Sequence, residues 1–296
     1  KTKMAANIDL EILARGTPGF TGADLENLVN EAALMAARTG AKEITLDLLE
    51  MAKDKIMMGA ERRSMIINEK EKKITAYHEA GHALIAWLLP NTDPIHKVTI
   101  IPRGRALGLT MQLPTDDKYT HSKKDLKNTL CILYGGRIAE KIIFDEITTG
   151  AGNDIERASA LARKMVCEWG MSDDLGALTY GKKEEQIFLG REIGQNRDFS
   201  EETARNIDIA VKNFIDEAMN TVTSLLEEHR DILVMMAEEL LEKETIVLDD
   251  LERMVEELRP GKYTERMKKA RKAKKESAPS SEESVQEPAA DSDRSE

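Results

Sequence analysis

Apolar residues recur at helical spacing along most of the chain. Leu25, Leu28, Val29, Ala32, Ala33 and Ala36 share one face of a predicted helix that Thr21 can cap and that ends near Gly40. A second helix is predicted from Thr45, with Leu46, Leu49 and Ile56 on its face and Gly59 at its end. Asn68 stands three residues before Glu71, a spacing like a capping box, and opens a long helix that Pro90 terminates. Ile74, Tyr77, Ala80, Leu84, Ile85 and Leu88 give that helix an apolar face. The pattern turns β-like at Val98–Ile101 and Leu109–Leu113, two short runs around the loop Pro102–Gly108, which predict a hairpin or neighbouring edge strands. Helical spacing resumes over Leu126–Ile143 and over Asp154–Trp169, where Ile155, Ala158, Ala162, Met165, Val166 and Trp169 form one stripe and Gly170 stops it. It continues from Ser200, over Ile232–Leu241 and over Leu248–Leu258, until Arg259-Pro260-Gly261. The fold class is therefore mainly α: a small helical module over residues 1–62, then a helical domain with a short β element over residues 63–261.

Composition agrees with that outline and removes some functions. At 296 residues the chain has room for one large or two modest domains, each with its own core. Aromatics are only 4% against 41% apolar residues, which favours helices packed through Ala, Leu and Met. Lys and Arg total 43 and Asp and Glu 54, a net charge of −11 that argues against nucleic acid as the main partner. Cys131 and Cys167 are far apart, so neither a disulfide framework nor a thiolate metal site is suggested. The longest wholly apolar run, Ala83–Leu89, is far below the ~20 residues that span a bilayer. The chain as given is expected to be soluble, and its Lys-Thr-Lys opening is compatible with a fragment of something longer. Residues 262–296 carry a basic run, Lys268–Lys275, and then a Ser/Glu/Pro-rich stretch without apolar periodicity, which reads as a disordered charged tail. The basic run is a solvated tail or, alternatively, a contact for acidic lipid or a partner.

The chemistry lies in the long helix. Residues 78–82 read His-Glu-Ala-Gly-His, an H-E-x-x-H pattern. At about 100° per residue, positions four apart return to one face about 6 Å along the axis, so His78 and His82 can converge on one metal ion. Glu79, one residue round, can reach a water at that ion as general base. Gly81 costs a helix interior about 1 kcal/mol, which hints at close approach by a substrate or another backbone. A catalytic zinc site needs a third protein ligand. Ile85 and Leu88 exclude the metzincin extension, and Ile101-Pro102-Arg103 stands where a thermolysin-like Glu would lie. Two carboxylates compete for the place: Asp154, where the turn Thr149–Asn153 meets a helix, and Glu140, mid-helix after Gly135-Gly136. The residues favour Asp154, because a glycine turn aims a short side chain rigidly. His96, His121 and His229 lie in loop or surface-like contexts and are assigned to ordinary structure. The stretch Gly176–Lys183 nearly spells a phosphate-binding loop, but Lys183 replaces the hydroxyl residue that holds magnesium, and the chain holds no complete nucleotide-hydrolysing site.

With these residues assembled, the chain resembles the C-terminal half of the FtsH family, membrane-anchored ATP-dependent zinc metalloproteases of the AAA+ class. The stretches that carry the resemblance are Gly16–Asp24, Asn30–Ala33, Lys53–Arg63, Ala76–His82, His96–Gly104 and Thr149–Asp154, spread over residues 10 to about 258. The resemblance implies an AAA+ lid over residues 1–62, with Gly22 and Ala23 against bound ATP in an intact relative, and a zinc endopeptidase domain over residues 63–261. It assigns His78, His82 and Asp154 as zinc ligands and Glu79 as the catalytic base. It further implies a homo-hexamer held at the cytoplasmic face of the inner membrane by N-terminal segments, degrading membrane and cytosolic polypeptides with ATP. The competing expectation is a helical adaptor with a structural zinc, which needs a fourth protein ligand and leaves Glu79 without work.

Overall fold

The computed structural model describes residues 3–6, 8–17, 19–62, 65, 67–104, 106–113, 120–181 and 199–265. The expected tail beyond residue 265, and Lys182 and Lys183 of the near phosphate loop, lie outside the described residues. Two compact units occur, one within residues 1–53 and one within residues 54–267.

The first unit contains α1 (Leu10–Arg15), α2 (Gly22–Thr39) and most of α3 (Leu46–Met58). Thr21 caps α2 as expected, in a reciprocal box: its hydroxyl accepts from the Asp24 N–H, and the Asp24 carboxylate accepts from the Thr21 N–H at 2.8 Å. Gly40 ends α2 at φ 71°, a conformation that suits glycine. The buried stripe of α2 is Leu28, Ala32 and Ala36, whereas Leu25, expected on it, is exposed. Lys53 is wholly buried beneath Gly16, with its ammonium 2.5 Å from Glu50 Oε2.

The second unit is built around α4 (Glu69–Leu88), which packs most extensively on α5 (Lys123–Phe144) and then on α8 (Arg230–Lys243). Asn68 caps α4 through the Lys70 N–H at 3.0 Å, without the Glu71 reciprocity of a capping box. Leu89 takes the extended conformation that a following proline imposes, and Asn128 donates to the Pro90 carbonyl at 2.8 Å, so α4 stops where predicted. From Thr75 to Trp87 every residue except His78 is buried. Over this stretch the helix is buried all round, not along one face, and forms the centre of its unit. The bundle is completed by α6 (Gly152–Cys167), which follows a single 3-10 turn at Thr149–Ala151, by α7 (Glu201–Glu228), capped by Ser200, and by α9 (Leu248–Leu258).

The sheet corrects the expectation for the strands. β1 (Ile95–Thr99) and β2 (Leu109–Gln112) pair antiparallel, but β3 (Thr245–Val247) pairs antiparallel on the other side of β1. The order is β2-β1-β3, so β1 is central and not an edge. β3 is three residues long between two helices, too short for an alternating pattern to register. Arg103 fastens the β1–β2 connection: it pairs with Glu61 and with buried Asp54, to which Lys97 also binds at 2.7 Å, and its backbone closes a turn onto Ala106 through two 2.9 Å hydrogen bonds. The α6 stripe is also shorter than predicted. The helix ends at Cys167, Gly170 turns the chain at φ 57°, and Trp169 is 46% exposed. No helix among the described residues is long and apolar enough to cross a membrane.

Gly81 does face another backbone. A Cβ there would overlap the Gly135 carbonyl oxygen and come 2.7 Å from the Ala139 Cβ, and a Cβ on Gly135 would lie 2.8 Å from the Gly81 carbonyl oxygen. These glycines set how closely α4 and α5 approach. Gly81→Ala is expected to destabilise the unit by about 1–3 kcal/mol, because overpacking outweighs the ~1 kcal/mol gained in helix propensity. Urea denaturation checks this, and a variant as stable as the parent contradicts it.

Candidate active site

His78 and His82 stand one turn apart on α4 with their Nε2 atoms 3.0 Å apart. Asp154 lies in the first turn of α6, and its Oδ2 is 3.3 Å from His78 Nε2 and 3.2 Å from His82 Nε2. The 3-10 turn delivers it: Thr148 caps that turn, its hydroxyl accepting from the Gly150 N–H at 3.1 Å. In a tetrahedral zinc set with bonds of about 2.0–2.1 Å, neighbouring donors sit about 3.3–3.4 Å apart. The three atoms are already close to that spacing.

Their partners fix what the three atoms offer. His82 Nδ1 is 2.6 Å from the Ile132 carbonyl, which can only accept, so Nδ1 carries a proton and Nε2 is the nitrogen left to bind a ligand. His78 Nδ1 is 2.6 Å from Glu140 Oε1, which orients that ring in the same way. With both imidazoles neutral, two Nε2 lone pairs and a carboxylate oxygen would face one another, a group of acceptors that calls for positive charge between them, as protons or as a metal ion. The electrostatics state the same demand. Burial pushes His78 down, but the carboxylates of Asp154 and Glu140 outweigh it and hold the imidazolium up to about 10. Burial pushes Asp154 up, yet hydrogen bonds from His78 and His82 leave it well below the usual carboxylate range. Glu140 is likewise lowered: burial opposes, and His78 and the Thr148 N–H prevail.

A metal displaces the proton that His78 otherwise holds. Zinc uptake at pH 7 is therefore expected to release about one proton per chain, and affinity is expected to strengthen as pH rises from 7 toward 10. Calorimetry in two buffers of different ionisation heat reads that proton directly. A buffer-independent heat contradicts the assignment.

Glu79 is buried, and its Oε2 accepts from the Thr110 hydroxyl at 2.8 Å. Burial pushes its carboxyl above the ordinary value; His82, His78 and Thr110 pull it back, and the charge on Asp154 pushes it further up. The four side chains open on a groove of about 1130 Å³ whose walls include Ile74, Leu107, Ile132, Leu133 and Arg157. A buried base beside a three-donor cation site at the floor of a groove is suited to activating water against a bound polar bond.

His78, Glu79, His82 and Asp154, read from the sequence, are thus brought together. Glu140 is not in the donor triad. It is 1% exposed, on the far side of His78, and holds the ring that Asp154 faces. Gly22 and Ala23 lie exposed in the first turn of α2, within the first unit. His229, expected near the surface, is only 2% exposed and bonds Tyr263 and the Leu225 carbonyl. Thr110, Gly108 and Gly136 also line the site, without having stood out in the sequence. A Cβ on Gly136 would fall 2.6 Å from His78 Nδ1 and Nε2, so this glycine makes room for the ring. The signal was present, since two adjacent glycines inside a helix are costly unless something must pack against them.

A family model described as peptidase family M41 matches residues 65–254, well over half of the chain, and includes every residue of this site. The chain belongs to peptidase family M41. An AAA+ lid domain model matches residues 7–51 of the same M41 chain. It is 59% identical over 256 residues to a protein of Acidobacterium capsulatum named ATP-dependent zinc metalloprotease FtsH, covering 86% of this chain and 40% of that one. Proteins of the same name from Magnetococcus marinus and Myxococcus xanthus are 56% and 53% identical over 251 residues, covering 85% of this chain and 37% and 39% of their own. The M41 chain therefore spans about two fifths of the length of these relatives.

Proposed function

We propose that this chain is the proteolytic part of a zinc-dependent endopeptidase acting on polypeptides. The convergence of two imidazole Nε2 atoms and the Asp154 carboxylate beside buried Glu79 carries the reading. In it, His78, His82 and Asp154 hold the zinc. Bound there, the ion supplies Lewis acidity, which makes water acidic near neutral pH and polarises a carbonyl. Glu79 takes the proton of the attacking water and returns it to the leaving amine. Glu140 and the Ile132 carbonyl keep the two imidazoles in the binding tautomer. An extended substrate lies in the groove, where the outer edge of β2 offers main-chain hydrogen bonds with little sequence preference. Among the described residues the cluster gathers three donors and no fourth, which favours an open catalytic set over a structural zinc.

The wider assembly is proposed from the relatives. Residues 1–62 act as an AAA+ lid, with Gly22 and Ala23 toward ATP, residues 63–261 are the peptidase domain, and residues 262–296 are a charged tail. The whole protein is a membrane-anchored homo-hexamer at the cytoplasmic face, coupling ATP to degradation of membrane and cytosolic proteins. The test of the chain itself is cleavage of fluorescein-labelled casein. Phenanthroline should abolish cleavage and added zinc should restore it; cleavage that survives removal of zinc would sink the proposal.

A further inference from the structure

The site contains a contact that neither metal binding nor proton transfer requires. The Thr110 hydroxyl lies 2.8 Å from Glu79 Oε2 and 3.1 Å from the Glu79 backbone carbonyl. It has one proton, and the shorter, charge-assisted bond to the carboxylate is the stronger of the two. Among the described residues this is the hydrogen bond that the Glu79 carboxylate receives from the protein. Gly108, two residues earlier, closes the other side: a Cβ there would come 2.6 Å from Glu79 Cγ and 2.7 Å from Oε1. Its φ lies outside the left-handed region, so lack of space, not backbone conformation, calls for glycine.

Both residues come from one segment fastened by backbone hydrogen bonds. Thr110 pairs with Val98 of the central strand, Gly108 directly precedes β2, and the turn before it is closed by Arg103 and Ala106. A glutamate has three side-chain torsions, so on α4 alone the carboxylate would sample several positions, of which few face the water to be deprotonated. We infer that Thr110 is a positioning residue for the hydrolytic reaction: β2 presents its hydroxyl, and Gly108 the space, that hold the Glu79 carboxylate at the cation site. This rests on the peptidase reading above. It also links two parts of that reading, because the strand whose outer edge is offered to the substrate is the strand that aims the base.

The experiment compares Thr110→Val, Thr110→Ser and Gly108→Ala with the parent, all zinc-loaded. Valine keeps the shape and β propensity of threonine and puts a methyl in place of the hydroxyl. Thr110→Val is expected to bind zinc normally, to keep KM for a quenched peptide within about 2-fold, and to lose about 10- to 100-fold in kcat. Thr110→Ser is expected to stay within about 3-fold of the parent, because its hydroxyl can still donate. Gly108→Ala, which crowds the carboxylate and leaves the Thr110 hydroxyl in the chain, is expected to lower kcat by a similar factor. Crystal structures of the parent, Thr110→Val and Gly108→Ala read the Glu79 carboxylate directly, and in both variants it should leave its parental position. Unchanged kcat in both variants, or an unmoved carboxylate, overturns the inference. A zinc-loaded parent that cuts no peptide defeats the peptidase reading instead, and the crystals still decide the positioning. If Thr110→Val does not fold, Thr110→Ala, which also lacks the hydroxyl, takes its place in the same comparison.

Discussion

Glu79→Gln is expected to leave zinc bound at the parental stoichiometry and to lower peptide cleavage by about 10³-fold. The substitution is nearly isosteric in a buried place, and a glutamine oxygen can still accept from Thr110, so the fold has little reason to change. What disappears is a group that can take a proton from water and give it to the leaving amine. His78, His82 and Asp154 are untouched, so metal analysis of the purified variant should match the parent while casein cleavage is lost. A variant that keeps even a tenth of parental activity would place the base elsewhere. One that loses its zinc would mean that Glu79 belongs to the metal set.

Asp154→Ala and Glu140→Gln should separate the two carboxylates that sequence alone left in competition. Asp154 faces both Nε2 atoms and Glu140 only a Nδ1 atom, so in the proposed set removing the first deletes a ligand and altering the second loosens one. Asp154→Ala is expected to purify without stoichiometric zinc and without activity. Glu140→Gln should still bind, about 10- to 100-fold more weakly, in line with the usual cost of losing a partner behind a ligating histidine. Competition with a chromogenic chelator measures both. The reverse ranking would exchange the roles of the two residues.

How much of this was legible in the sequence depended on how local each feature is. His78, Glu79 and His82 were readable because one helical turn relates them, and α2, α4 and α9 were readable because caps, Pro90 and a 3.6-residue period are local. Asp154 was favoured for a local reason, its glycine turn. That Glu140 lies behind the His78 ring depends on the packing of α5 on α4, which is not local. β3 has three residues, and only its pairing with β1 makes it a strand. Leu25 and Trp169 were assigned to buried stripes by periodicity, yet α2 buries a narrower face and α6 ends before Trp169. His229 read as a surface residue because its partner, Tyr263, lies far along the chain. Thr110 and Gly108 had no signal at all, since a strand residue that touches a helical glutamate is a tertiary fact.

The most direct test of the account is anomalous diffraction at the zinc absorption edge from crystals of the zinc-loaded chain. One peak is expected at the candidate site, about 2.0–2.2 Å from His78 Nε2, His82 Nε2 and Asp154 Oδ2, with a fourth direction open to the groove. A peak closed by four protein ligands, or one bonded by Glu140 in place of Asp154, would contradict it.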